Sequence, residues 1–200
     1  MPQDHYFTAE PASPAELRGR RVVLAGLEVS VQTAGGIFSP DGIDKGTAVL
    51  LKHAPDPPAT GTFLDLGCGW GPLALTMALH SPGATVHAVD VNRRALDLVT
   101  RNAASLGCQI TALTPQDAAS DTAYDLIWSN PPIRVGKAEL HEMMRAWLPR
   151  LAAGGQAWLV VQKNLGADSL QRWLTSEFLD LNVDRPETKG GFRLIRVARP

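Results

Sequence analysis

The sequence predicts an α/β fold: a mostly parallel, Rossmann-like sheet, closed by an antiparallel C-terminal strand and preceded by a β-hairpin. Three observations predict it. From Thr62 onward, short apolar runs alternate with helical stretches, the pattern of parallel strands joined by crossover helices. A glycine-rich turn at Gly67, Gly69 and Gly71 directly follows the first of these runs. An acid, Asp90, closes the second. Ligands in such sheets bind outside the carboxyl ends of the strands, where the glycines and the acid both fall.

The elements follow in order. Residues 1–19 hold Pro2, Pro11, Pro14 and Gly19 and read as an irregular arm. Strand-like runs over 21–24 and 27–32 flank Ala25-Gly26 as a hairpin. Gly35-Gly36 opens a loop that runs to Gly46. Thr47 to His53 reads as a helix stopped by Pro55, and residues 55–58 form a linker. Residues 1–58 are thus expected to pack as an extension on a core of residues 59–200, one compact domain in all. In the core, strands are expected at 62–66, 85–90, 109–113, 124–129 and 156–162. Helices are expected at 72–80, 92–106, 139–151 and 167–178. Pro72 sits in a first turn, where its missing N–H costs nothing. Asn92 is placed to cap a helix that Gly107 ends. Pro149 is expected to distort a helix end, and 181–184 with 192–198 to close as an antiparallel pair.

Composition narrows the function classes. Nineteen basic against 20 acidic residues leave a net charge of −1, which excludes a protein that coats nucleic acid by charge alone. It leaves room for a local basic patch, and the tail carries Arg185, Lys189, Arg193, Arg196 and Arg199, a set that also suits a solvated strand face. The longest apolar runs, such as Ala157 to Val161, are strand-sized, so no membrane span is expected. The first ten residues lack the layout of a secretory signal. Cys68 and Cys108 form neither a disulfide framework nor a metal cluster. The expectation is a cytoplasmic protein without metal.

The glycine turn reads Asp65-Leu66-Gly67-Cys68-Gly69-Trp70-Gly71-Pro72. Gly67 permits a sharp turn, and Gly69 and Gly71 leave room for a ligand to approach the backbone. Pro72 stands where a dinucleotide fingerprint needs its third glycine. Asp65 suits a ligand that carries an ammonium group, such as methionine. Asp90 can accept both hydroxyl protons of a ribose, a role that nicotinamide enzymes share. Asp117, after the third strand, suits either an adenine amine or a turn. Trp70 is expected near the ligand, and Trp128, Trp147, Trp158 and Trp173 in the core. His53, His80, His87 and His141 are scattered and read as structural or exposed.

Ser129-Asn130-Pro131-Pro132-Ile133 follows the fourth strand. The prolines fix φ and supply no donors. Their carbonyls and the Asn130 side-chain oxygen make a cluster of acceptors at the mouth of the sheet. That suits an amine held by both N–H groups, its lone pair turned out of conjugation toward a methyl donor. Such a transfer needs orientation and electrostatic stabilisation more than acid–base chemistry. Arg134 and Lys137 flank this loop, and Lys163 ends the fifth strand on the ligand side. Arg134 suits a phosphate, a base face or plain solvent equally.

Taken together, Asp65 to Pro72, Asp90, Asp117 and Asn130 to Ile133 resemble the motifs of class I methyltransferases of the "methyltransferase small" family. His5-Tyr6-Phe7, Gly36 to Ser39, Gly42 to Gly46 and Val161-Gln162-Lys163 extend the resemblance nearly end to end. These segments look like those of single-domain bacterial relatives of the small-subunit rRNA guanine-N2 methyltransferase RsmC. The resemblance implies S-adenosylmethionine as cofactor, with Phe38, Asp44, Gly46, Asp65, Gly67, Cys68, Gly69, Gly71, Asp90, Val91, Asp117 and Asn130 around it. In it the loop from Phe38 to Gly46 closes over the methionine end. It implies Asn130, Pro131, Pro132 and Ile133 at the target amine, and Arg134, Lys137 and Lys163 toward the substrate. The implied partner is ribosomal RNA or the small subunit, with no role for DNA. Many amine methyltransferases carry an aromatic ring where this chain has Ile133, which packs but cannot stack, so base recognition must come from elsewhere. The larger rRNA enzymes hold a second, degenerate copy of the domain, and this sequence holds one. Two other classes fit the same residues: a protein glutamine-amide or small-molecule amine methyltransferase, and a non-catalytic RNA-binding or assembly module.

Overall fold

A computed structural model describes residues 16–200. Most of the arm and its His5-Tyr6-Phe7 match lie outside the described residues. Strands β1 (Arg18–Leu24) and β2 (Leu27–Thr33) pair around Ala25-Gly26. Both turn residues have positive φ, 50° and 76°, the geometry whose twist matches the flanking strands. After the loop, helix α1 (Lys45–His53) begins two residues earlier than its periodicity suggests, because Asp44 caps it.

The core then alternates. Strand β3 (Thr62–Leu66) leads to α2 (Pro72–His80), β4 (Thr85–Val89) to α3 (Arg93–Leu106), and β5 (Ile110–Leu113) to β6 (Tyr124–Ser129). Asn92 caps α3 through its side chain, and Gly107 ends it at φ 67°. Helix α4 (Lys137–Trp147) stops short of Pro149, which sits in a 3-10 turn over Leu148–Arg150. Strand β7 (Leu151–Gln162), helix α5 (Ala167–Glu177), β8 (Asn182–Lys189) and β9 (Phe192–Ala198) complete the chain.

In the hairpin β1 starts at Arg18 instead of Arg21, so the irregular arm ends before residue 18; two strands of the core also outrun their sequence expectation. β7 starts at Leu151 instead of Gln156, crossing Gly154-Gly155 through an irregularity opposite Tyr124 and Leu126. A side chain at Gly155 would sit 2.7 Å from the Tyr124 carbonyl, so glycine is what admits the close approach. β8 runs on past Pro186 with a register shift between Asp184 and Glu187. It is the sheet's edge strand, where a proline and a bulge are tolerated.

The seven-stranded sheet has the order β5-β4-β3-β6-β7-β9-β8, with β9 antiparallel to both neighbours. Alternate residues feed opposite faces. Leu64, Ile127 and Leu159 pack under α4 and α5. Phe63, Leu126, Trp158 and Leu194 pack under α1, α2 and α3. The hairpin has its own cluster, where Leu24 and Val31 meet Trp70, Leu75 and Leu98. The two-strand order reversal beside β3 places the carboxyl ends of β3, β4 and β6 around one crevice.

Asn102 ties the hairpin to the core. It is 1% exposed; its Nδ2 donates to the carbonyls of Gln32 and Trp70, and its Oδ1 accepts from Gln32 N–H at 2.7 Å. Asn102→Ala strands these groups, and should lower unfolding stability by about 1–3 kcal/mol in urea titration. An unchanged midpoint would show that the hairpin does not depend on this anchor.

Candidate active site

A cleft of about 750 Å³ opens at the carboxyl end of the sheet. That is the size range of small-molecule sites. One wall is formed by Gly67 and by Val89 to Asn92. Another is Asn130 to Val135, and α4 contributes Glu139, Glu142 and Met143. Phe38 and Asp44 border both the cleft and a narrow extension toward Asp65, Cys68 and Gly69.

The glycine turn keeps its donors for itself. The N–H groups of Gly67 and Cys68 donate to the Val89 carbonyl at 2.8 and 3.0 Å, and Gly69 N–H donates to Asp90 Oδ2 at 2.9 Å. A phosphate would need those N–H groups. The turn is therefore poorly suited to a dinucleotide, as Pro72 suggests. Gly67 has φ 77° and its missing Cβ would meet only Met143 at 3.8 Å, so it leaves open space at the cleft. Gly71 serves a different purpose: a Cβ there would lie 3.0 Å from Val99, so its absence lets α2 pack on α3. Cys68 is buried in the core, which pushes its thiol pKa well up. Trp70 is likewise core, 1% exposed, with its indole N–H toward the Gly42 carbonyl.

Two acids frame this end. Asp90 Oδ1 accepts from Asn92 N–H and Oδ2 from Gly69 N–H, both at 2.9 Å. Burial raises its pKa, and the backbone N–H groups of Asn92, Gly69 and Val91 oppose that rise. Each oxygen retains a lone pair for a hydroxyl donor. Asp65 is fully buried. Its Oδ2 accepts from Ala74 N–H at 2.8 Å, and its Oδ1 has no hydrogen-bond partner. Burial pushes its carboxyl up to about 8; the Ala74 bond opposes this and the nearby Asp90 charge adds to it. A buried acid with a vacant oxygen favours a cationic ligand.

The reactive loop is fixed from α1. Asp44 accepts from Gly46 N–H and from Thr47 N–H and hydroxyl. Asn130 Nδ2 donates to Asp44 Oδ2 at 3.0 Å and to Thr47 Oγ1 at 3.1 Å. A carboxylate can only accept, so the amide nitrogen must face Asp44. The Asn130 oxygen then has no donor among the described residues. Ser129 anchors the same strand end through its hydroxyl to the Leu66 carbonyl at 2.7 Å. The proline carbonyls are more engaged than their sequence suggests: Pro131 accepts from Ile133 N–H at 2.9 Å and Pro132 from Val135 N–H at 3.2 Å. Each keeps one lone pair.

Several sequence candidates fall elsewhere. Gly46 is buried in the first turn of α1; a Cβ there would lie 3.0 Å from Phe192 and 3.3 Å from Asn130 Nδ2, so it is a spacer. Asp117 is exposed and accepts from the Thr114 hydroxyl at 2.6 Å; Pro115, two residues before it, lines the cleft. Arg134 and Val91 line the cleft, whereas Lys137 and Lys163 do not. Arg94 is held on the Gly35 carbonyl at 2.7 Å. Among the described residues no group of His, Cys, Asp and Glu is placed to hold a metal ion. Sequence reasoning missed the Asp44–Asn130 contact and the presence of Phe192 in the cleft wall. A strand that returns antiparallel to β7 must enter at the ligand edge, and that was the available signal for Phe192.

Known proteins resemble this chain throughout. A family model described as "Methyltransferase small domain" matches residues 28–196. The chain is 30% identical over 200 residues to the uncharacterized protein YbxB of Bacillus subtilis, covering 98% of each. It is 31% identical to ribosomal RNA large subunit methyltransferase G of Ectopseudomonas mendocina, over 79% of this chain and 44% of that protein. It therefore spans less than half the length of that curated rRNA enzyme, but nearly all of YbxB. Its fold matches that of the T. thermophilus 16S rRNA N2 G1207 methyltransferase RsmC, solved with AdoMet and guanosine. That match has TM-score 0.76 and 20% identity, and covers 95% of this chain and 52% of that one.

Asp65 makes a pH prediction. The folded chain holds its proton up to about 8, while the unfolded chain releases it near 3.8. The folded state thus binds more protons between those values, and its stability falls as pH rises through them. Urea midpoints measured across this window should decline more steeply for the parent than for Asp65→Asn. Parallel slopes would remove the buried neutral acid from the account.

Proposed function

The chain belongs to the methyltransferase small-domain family, and we propose that it is an S-adenosylmethionine-dependent N-methyltransferase whose acceptor is the exocyclic amine (N2) of a guanine in small-subunit ribosomal RNA. The observation that carries this reading is the Asn130 amide, turned by Asp44 and Thr47 so that its oxygen, at the mouth of the sheet, meets no donor among the described residues.

The residues fit the cofactor. The vacant, buried Asp65 oxygen suits its ammonium group, and the Asp90 carboxylate on the cleft wall suits its ribose diol. When bound, S-adenosylmethionine supplies an electrophilic methyl group on a sulfonium. Phe38, Asp44, Gly67 and Val91 are the further residues proposed to border it, with Cys68 and Gly69 contributing backbone. Asn130 Oδ1 and the remaining lone pair of Pro131 hold the two protons of an amine. That turns the nitrogen lone pair out of the ring plane and toward the methyl group. Pro132 and Ile133 shape the apolar floor. No general base within the loop is required before transfer: the nitrogen lone pair would form the new C–N bond as the C–S pair stays on sulfur, and the methylated nitrogen then releases its extra proton to solvent water.

The family resemblance and the names of its rRNA-modifying relatives support RNA as the acceptor. Arg134, in the cleft wall, is proposed to meet phosphate or base, and Lys137 and Lys163, outside the cleft lining, are proposed to meet the RNA beyond it. A guanine amine is hard to reach inside an intact helix, so the substrate base is unpaired or extruded. The small net charge implies few phosphate contacts and a modest salt dependence. Among the described residues no helix is long and apolar enough to cross a membrane, and action in the cytoplasm is part of the same proposal.

Three measurements test this reading. Asp90→Ala should weaken S-adenosylmethionine binding by about 1–3 kcal/mol in calorimetry; equal affinity in a folded variant rejects the ribose assignment. Asn130→Ala should leave that affinity near the parent value and raise the transfer barrier by about 2–4 kcal/mol, by analogy with loss of one oriented partner of the reacting group. Labelled cofactor offered with small-subunit rRNA, large-subunit rRNA, assembled subunits, duplex DNA and cell protein should mark small-subunit RNA. Label in large-subunit RNA alone corrects the subunit. Label in protein alone favours the glutamine-amide reading, and label nowhere favours a binding module.

A further inference from the structure

Ile133 leaves the acceptor loop without the ring that would stack on a target base. Among the described residues, three aromatic side chains line the cleft: Phe38, Trp147 and Phe192. Trp147 is 4% exposed and packs in the core beneath α4. The Phe38 backbone lies over the glycine turn, its carbonyl 3.8 Å from the Cβ position of Gly69. Phe192 is half-buried and stands beside the acceptor loop. Its Cε1 and Asn130 Nδ2 lie 3.0 and 3.3 Å from one point, the Cβ that Gly46 lacks.

The position of this ring follows from topology. Gly190 and Gly191, at φ 55° and 82°, form the two-residue turn between β8 and β9. Lys189 pairs with Phe192 across that turn, and Gln162 pairs with it on the other side. Gln162 is the last residue of β7 and itself lines the cleft. Because β9 runs antiparallel to β7, its first residue arrives where the parallel strands end. The Lys163 N–H donates to the Gly191 carbonyl at 2.8 Å and holds that turn against the cleft rim. Gly46 keeps the space under the ring free, so the ring edge and the Asn130 amide share one corner of the site.

We propose that Phe192 is the aromatic platform for the acceptor base, taking over the stacking role that Ile133 cannot fill. The inference rests on the reading of a nucleobase acceptor. A planar base whose exocyclic amine reaches Asn130 presents its face to the ring. Stacking of that kind tolerates any base, so it supplies affinity and orientation while the acceptor oxygens select the amine.

The test compares Phe192→Leu, which keeps apolar bulk, with Phe192→Tyr, which keeps the ring, on the rRNA that the parent methylates. With the leucine variant, kcat/KM for RNA should fall on the order of 10–100-fold, the scale of losing one base–aromatic stack. S-adenosylmethionine affinity and the urea midpoint should stay at parent values. The tyrosine variant should transfer at near-parent rates. RNA methylation by Phe192→Leu at the parent rate overturns the platform alone and leaves the acceptor reading standing. Equal loss in both variants also overturns it, since the aromatic face would not be what is used. A parent protein that labels protein or small amines but no nucleic acid overturns both.

Discussion

The Asp44 carboxylate is the constraint on which the rest of the site depends. It closes the N-terminus of α1, where unpaired N–H groups favour a negative charge. It also accepts from Asn130, 86 residues away on the end of β6. One side chain thus joins the helix that precedes the parallel core to the strand that carries the acceptor loop. Because a carboxylate cannot donate, this contact decides which way the Asn130 amide faces. Thr47 reinforces it with a hydroxyl that both Asp44 and Asn130 use. An acceptor oxygen held this way is oriented before any substrate arrives, and orientation is the main contribution a site can make to a transfer with a good leaving group.

The opposite end of the cleft works by withholding donors. The N–H groups of Gly67, Cys68 and Gly69 are spent on Val89 and Asp90, so the turn that looks like a phosphate cradle offers little to an anion. What remains for a ligand is negative. Asp90 faces the cleft with spare lone pairs, and Asp65 sits deeper with one oxygen wholly unpaired. An isolated buried carboxylate costs several kcal/mol if ionised, so Asp65 retains its proton until a cation compensates it. On the proposed reading the sheet separates two tasks: a pair of acids for a cationic cofactor at β3 and β4, and a neutral acceptor loop for the amine at β6.

Much of this was legible in the sequence because it is local. Gly67 and Gly107 adopt the left-handed conformations their residue type favours, Asn92 caps α3, and Pro72 opens α2. Each rule acts within a few residues. What the sequence leaves out is mostly nonlocal. Gly46 reads as a ligand contact until Phe192 and Asn130 are seen to crowd it from distant strands. Gly71 reads likewise until Val99 of α3 occupies the space. The fifth strand reads as starting at Gln156, yet a bulge against β6 carries it back through Gly154 and Gly155 to Leu151. Asp117 reads as a ligand or a turn residue with equal justice, and its own neighbour Thr114 holds it in the turn. Phe192 carried no motif at all; only the direction of β9 brings it to the site.

The central claim is that this cleft methylates an amine of ribosomal RNA with Asn130 as the orienting acceptor. The most direct measurement compares, by mass spectrometry of nuclease-digested rRNA, cells that lack the gene with the same cells carrying the parent or the Asn130→Ala protein. The account predicts one N2-methylguanosine lost in the null strain, restored by the parent and absent with the variant. Identical rRNA modification in all three strains would contradict it.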